Sequence, residues 1–259
     1  NKFKIAILGL VHQKGLDFLK EKGFEIFEVK NFEPKFLREK LELVDGILLR
    51  TSKLDESILK HCHKLKIISR HGVGYDNVDA DYLNKKKIAL GITSTSNAVS
   101  VAEHVLAFFI HLTKNLSLSD SLVRDGNFKR KSELPDFFEL YNKNVLIFGF
   151  GRIGKEVAKR CHGFDMKVYV HDPFINESLI KKFNCIPIDK EKGLSLADYI
   201  TVHLPLNMNT KNFISKHELN LMKKSSIIVN TSRGGIVNEV DLHHTLVSKK
   251  IRGCGMDVF

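Results

Sequence analysis

Three glycines set the first expectation. Gly149, Gly151 and Gly154, in VLIFGFGRIG, follow an apolar run and open a stretch with helical character. A strand that turns through glycines into a helix brings free N–H groups and the positive end of the helix dipole to one point, which suits a pyrophosphate. Gly149 then permits the tight turn, Gly151 lets a phosphate approach the backbone, and Gly154 lets helix and strand pack closely. Arg152 and Ile153 offer the nearest amides. The next strand-like run, KVYVHD, ends at Asp172, eighteen residues after Gly154. A carboxylate there accepts hydrogen bonds from ribose hydroxyls and repels a 2′-phosphate, so the expected ligand is NAD rather than NADP.

The surrounding elements fit such a site. Short apolar runs alternate with helix-like stretches along the whole chain, from FKIAILG, EIFEV, VDGILLR, LKIISR and IALGIT to KNVLIFG, KVYVHD, YITVHL, SSIIVNT and CGMDVF. This rhythm predicts an α/β fold with parallel sheets and helices on both faces. Two doubly wound domains are expected, over residues 1–95 and 96–259. A helix over 100–114, with an apolar stripe of Val101, Val105, Phe108, Phe109 and Leu112, is expected to connect them. The polar stretch from Asp120 to Leu140, with Gly126 and Pro135, reads as a loop.

Composition narrows the class. Hydrophobic residues make up 43% and charged residues 27%, the balance of a soluble globular protein. No apolar run has the length of a membrane span and no signal peptide is visible, so a cytoplasmic protein is expected. The cysteines Cys62, Cys161, Cys185 and Cys254 are scattered without metal-ligand spacing, which predicts reduced thiols and no metal. The net charge of +11 raises nucleic-acid binding, but the lysines are spread along the chain with no helix basic on one face. A basic surface, helped by an anionic substrate, is the preferred reading.

The segments SRHGVGYDNVDADYL, SNAVSVAEHVL, FGFGRIGKEVAKR, HDP, DYITVHLPLNMNTKNFI, NTSRGGIVNEVDL and CGMDVF occur in this order. Together they resemble the D-2-hydroxyacid dehydrogenases, and most closely their phosphoglycerate dehydrogenase branch, from about Asp45 to Phe259. The resemblance implies one flavodoxin-like and one Rossmann-like domain with the active site in the cleft between them, and a homodimer through the cofactor domain. It implies cofactor contacts from Arg152, Ile153, Asp172, Leu204, Pro205, Thr231, Ser232 and Arg233, from Asp257 at the carboxamide, and from Val73 near the nicotinamide. Arg233 is the expected catalytic residue. A guanidinium can hold the carboxylate of a 2-oxo acid and polarise the neighbouring carbonyl, stabilising the charge that develops there. For the substrate, the backbone amides of Gly72, Val73 and Gly74 offer an anion-binding nest. Asn97 matches a cleft asparagine but is equally placed to be a helix cap. Arg50 and Arg70, at strand ends, match arginines that hold the substrate's phosphate end.

The family also uses a histidine further on as general acid/base, paired with a glutamate soon after the DVF motif that keeps it suitably basic. The sequence ends at Phe259 and contains neither, and His71, His104 and His203 do not match. A chain that is part of a longer protein is expected, because a final apolar strand without a covering helix is a poor end for a domain. The expected reaction is hydride transfer between NAD(H) and a small D-2-hydroxy or 2-oxo acid, with 3-phosphoglycerate first and glycerate, glyoxylate, hydroxypyruvate or lactate chemistry open. A weakly catalytic NAD-sensing protein is the alternative from another class.

Overall fold

The computed structural model of the chain describes residues 2–93 and 96–259. It falls into two compact units, Asn1–Asn97 and Ala98–Phe259. The boundary expected near Thr95 lies outside the described residues. No helix among the described residues is long and apolar enough to cross a membrane.

The first unit runs β1 (Lys4–Leu8), α1 (Gln13–Glu21), β2 (Glu25–Val29), α2 (Pro34–Lys40), β3 (Gly46–Leu49), α3 (Glu56–Leu59), β4 (Ile67–Arg70), α4 (Ala80–Lys86) and β5 (Ala89–Ile92). Its strands are parallel in the order β2-β1-β3-β4-β5, the flavodoxin-like arrangement. Local chemistry starts the helices where the sequence turns polar. Asp55 and Asp79 accept hydrogen bonds from the amides of Ser57 and Tyr82, and Pro34 opens α2. Ala6, Leu8, Ile47, Leu49 and Ile68 bury the sheet against these helices. Strand order reverses between β1 and β3, and ligands of such sheets bind at the carboxyl ends beside that switch.

The second unit opens with α5 (Ala98–Lys114), α6 (Leu116–Arg124) and a 3-10 turn (Phe128–Glu133). Then follow β6 (Asn144–Phe148), α7 (Arg152–Gly163), β7 (Lys167–His171), α8 (Glu177–Lys182), β8 (Ile186–Pro187) and α9 (Lys190–Leu196). The unit closes with β9 (Tyr199–Val202), α10 (Lys216–Leu221), β10 (Ile227–Asn230), α11 (Glu239–Val247) and β11 (Gly253–Met256). The parallel order β11-β10-β9-β6-β7-β8 is the Rossmann order, with its switch between β6 and β9. One side of the sheet is covered by α5 and α7 through Val105, Phe109, Val157 and Cys161, the other by Leu194, Leu219 and Leu242.

The segment read as a loop is partly helical. Helix α6 covers its start and the 3-10 turn its middle. Neither buries a residue, and the apolar side of α6, with Leu116, Leu118 and Val123, stays exposed. Arg124 bonds Asp120 at 2.6 Å one turn away, a local pair that supports an exposed helix by only a few tenths of a kcal/mol. The helix expected over 100–114 begins at Ala98, and its fully buried Phe109 meets the ring of Tyr199 at 5.0 Å. Helix α9 and the two-residue β8 are additional to the expected elements.

Candidate functional site

The glycine turn leaves the switch point of the second unit. Strand β6 is buried from Val145 to Phe148 and ends at Gly149, whose φ of +88° favours glycine. A Cβ on Gly149 would lie 2.7 Å from the carbonyl oxygen of His203, so the loop after β9 closes directly over it. A Cβ on Gly154 would lie 2.2 Å from the carbonyl oxygen of Gly149, so α7 rests on the strand end. Gly151 is different. Nothing lies within 4 Å of where its Cβ would be, and it stands at the N-cap of α7 without a side-chain cap. The turn is thus closed on two sides and open on the third. The first amides of the helix, from Arg152 and Ile153, have no carbonyl of an earlier turn to bond.

Asp172 follows β7 and braces this turn. One of its carboxylate oxygens accepts the Phe150 amide at 2.8 Å, the other the Phe174 amide at 3.0 Å. Each oxygen keeps a second lone pair for a ligand hydroxyl. Beside Asp172 a cavity of about 420 Å³ opens between β7, α8 and the segment after β8, lined by His171, Pro173, Ile175 and Ile188. Leu204 and Pro205, after β9, do not line it. His203, next to them, bonds Thr201 through Nε2 at 3.0 Å, and its buried Nδ1 has no partner. Desolvation holds its pKa down at about 3, so the ring is neutral and serves as wall.

Strand β10 delivers the arginine loop. Asn230, fully buried at the strand end, accepts from the amide and hydroxyl of Ser232 and donates to the carbonyl of Arg233. Its own carbonyl accepts the Asp257 amide at 3.0 Å. One asparagine therefore sets both the Thr231–Arg233 turn and the acid after β11. The sequence reading passed over it, although a polar residue ending the apolar run IIV was the available signal. Thr231 is 8% exposed, and its hydroxyl is buried without a partner. Arg233 is half-buried and its Nη1 bonds the Ser232 carbonyl at 2.7 Å. Gly234 admits the backbone of Phe259, which would lie 2.1 Å from any Cβ there. Asp257 is exposed and faces His104 Nε2 at 3.4 Å.

The open glycine, the uncapped amides and the orphaned hydroxyl of Thr231 fit a bound dinucleotide. Arg152, Ile153, Gly151, Asp172 and Thr231 would hold it. The second unit gathers the expected contacts in two groups: Asp172 and Leu204 against the glycine turn, with Leu204 Cδ2 3.1 Å from the Cβ position of Gly149, and Thr231, Ser232, Arg233 and Asp257 around Asn230.

The remaining candidates belong to the first unit. Arg50 follows β3 beside its switch point, is exposed, and donates to the Leu10 carbonyl at 3.4 Å. Arg70 ends β4 and curls back onto the carbonyl of His71. A Cβ on Gly72 would meet the Arg70 guanidinium at 2.5 Å. The expected nest is smaller than its three residues. The Gly72 amide donates to the Arg70 carbonyl at 2.9 Å, which leaves Val73 and Gly74 to supply it. Asn97 immediately precedes α5, but its buried Oδ1 has no partner, so the capping bond is not made.

Comparison with known proteins places this arrangement. The sequence model of the D-isomer specific 2-hydroxyacid dehydrogenase NAD-binding domain matches residues 106–259. A glyoxylate reductase of Thermococcus litoralis is 36% identical, with 100% of this chain covered and 80% of that protein. A D-3-phosphoglycerate dehydrogenase of Archaeoglobus fulgidus is 30% identical over 99% of this chain and 48% of its own length. The chain thus spans about half the length of the phosphoglycerate dehydrogenases it matches. Among solved structures, the D-lactate dehydrogenase of Aquifex aeolicus, complexed with NAD and lactic acid, superposes with a TM-score of 0.88 at 30% identity. That match covers 99% of this chain and 77% of the other. With its glycine turn, its arginine loop and these matches, the chain belongs to the D-2-hydroxyacid dehydrogenase family and carries that family's NAD-binding domain.

Proposed function

We propose that the chain is the substrate- and cofactor-binding part of an NAD-dependent D-2-hydroxyacid dehydrogenase, with 3-phosphoglycerate as its first candidate substrate. The observation that carries this reading is the buried Asn230. It fixes Arg233 two residues beyond the orphaned hydroxyl of Thr231, on the loop that leaves the carboxyl end of β10. A guanidinium held there binds the carboxylate of a 2-oxo acid and stabilises negative charge on the adjacent oxygen. Bound NAD(H) supplies the hydride acceptor or donor. Asp172 orients the ribose, Thr231 the nicotinamide end, and Asp257 accepts the carboxamide. Leu204 and Pro205 flank the adenosine, and Val73 lies toward the nicotinamide.

In the first unit, Val73 and Gly74 receive the substrate carboxylate, while Arg50 and Arg70 receive a phosphate. Asn97, with its unpaired oxygen, adds a polar contact to the substrate. Support for a phosphorylated acid comes from these arginines and from the phosphoglycerate dehydrogenases matched along 99% of the chain. We place the reaction in the cytoplasm, as a step toward serine. We assign a homodimer to the cofactor domain, supported by the exposed Leu116, Leu118, Val123 and Phe128 on and beside α6.

The test is NADH consumption by the product of the complete gene with 3-phosphohydroxypyruvate, hydroxypyruvate, glyoxylate and pyruvate. NADH is followed by its own absorbance, since the chain has no tryptophan to report binding. Preference for the phosphorylated acid supports the substrate reading. Preference for another acid replaces it within the same chemistry. NADH binding without turnover on any of them overturns the enzyme reading in favour of an NAD-sensing protein.

A further inference from the structure

Helix α5 lies along β11 in a repeating register. Leu112 Cδ2 lies 3.7 Å from where a Cβ on Gly253 would be, and the Phe108 ring 2.6 Å from the same point on Gly255. One helical turn further, His104 Nε2 faces Asp257 Oδ1 at 3.4 Å. Four residues of helix rise about 6.0 Å and two of strand about 6.6 Å, so each turn of α5 meets every second residue of β11. At Gly255 the missing side chain is what lets the Phe108 ring reach the strand, while at Gly253 Leu112 packs at ordinary contact distance. Phe108 holds the imidazole edge-on, with ring centroids 4.5 Å apart. His104 is thereby delivered to the acid by the packing of the layer beneath it.

We infer that His104 is a positioning residue that fixes the Asp257 carboxylate through one oxygen and presents the other to the carboxamide N–H of the cofactor. This rests on the cofactor reading given above, in which Asp257 takes that amide. Both side chains are about half exposed, and an exposed polar contact of this kind adds little stability. Its value is geometric: Asp257 stands one residue beyond β11, where a lone carboxylate would sample several rotamers. Asn230 anchors the backbone of Asp257 from one side and His104 its side chain from the other.

The experiment is calorimetric titration of the chain with NAD, with 3-acetylpyridine adenine dinucleotide, which keeps the carbonyl but lacks the amide N–H, and with ADP-ribose. The wild type binds NAD more tightly than the acetylpyridine analogue. His104→Leu weakens NAD about tenfold, the scale of one oriented hydrogen bond to a charged group, and leaves the analogue and ADP-ribose within about twofold. His104→Gln, which retains a donor at similar reach, restores the preference for NAD. Equal weakening of all three ligands in His104→Leu assigns the residue a purely structural part and overturns the inference. So does an unchanged NAD affinity, or a wild type that does not distinguish NAD from the analogue while binding ADP-ribose. A wild type that binds none of the three overturns the cofactor reading itself, whatever His104 does.

Discussion

The two units begin with the same local plan and treat it in opposite ways. In each, a first buried strand ends in a glycine with positive φ, Gly9 at +108° and Gly149 at +88°, and a helix follows. In the first unit the helix end is plugged. His12 accepts the Lys14 amide at 3.2 Å, and the space beside Gly9 is filled by the side chain of Arg50. In the second unit Gly151 leaves the end of α7 bare, and the wall facing Gly149 is the His203 backbone with the Leu204 side chain beside it. The helices that follow in that unit are all capped, by Asn176, Asp189, Ser215 and Asn238. Parallel topology supplies a switch point in both sheets. Withholding a cap supplies a place for an anion in one of them.

The largest way to break this contrast is Gly154→Ala. Its Cβ has backbone 2.2 Å away, so α7 must lift from β6. We expect loss of NADH binding by at least about 100-fold and overpacking destabilisation of about 1–3 kcal/mol, read by titration and chemical denaturation. Gly151→Asp separates binding from folding. The site has room, and aspartate is a favourable N-cap, so Tm holds or rises. NADH affinity nevertheless falls about 100-fold, because the carboxylate occupies the phosphate position with like charge. A parallel loss of Tm in that variant would mean that the bare end is structural.

A third test compares acid sensitivity. Burial raises the Glu218 pKa, but bonds from Lys190 at 2.9 Å and from Ser215 outweigh it and bring it down to about 2. A folded value below the unfolded one gives stability that is complete above pH 4.5 and lost as pH falls toward 2. On the order of 2 kcal/mol of the second unit's stability should disappear in that window, discounting for solvent around Lys190, and Glu218→Gln should flatten the loss. The smallest effect is His12→Ala. Removing that cap should cost the first unit about 0.5–1 kcal/mol by denaturation and leave NADH affinity unchanged.

What the sequence made legible was what short-range spacing encodes. The glycine triplet and Asp172 announced themselves because a turn, a helix start and an acid at fixed intervals have few other uses, whereas the arginine loop in NTSRGG was legible only through the family resemblance. The alternation of apolar runs sufficed for two parallel sheets. Less legible were features whose partners are distant in the chain. Asn230 gains its meaning only when β11 lies beside it and brings Asp257 to its carbonyl. The Gly72 amide is spent on a carbonyl two residues earlier, which composition does not reveal. Helix α6 is amphipathic but buries no residue, and its serines and charges made the stretch read as loop.

The tight passage of Phe259 over Gly234 has a consequence for motion. The loop that bears Arg233 and the segment after β11 share the hydrogen bond from the Asp257 amide to Asn230 and press backbone against backbone at Gly234. Neither segment can swing out alone. In native-state hydrogen exchange, the amides of Ser232 and Asp257 should open together at one free energy, as a single cooperative patch. A ligand that grips either segment would then slow exchange in both, so Asp257 and Arg233 would be ordered in one step.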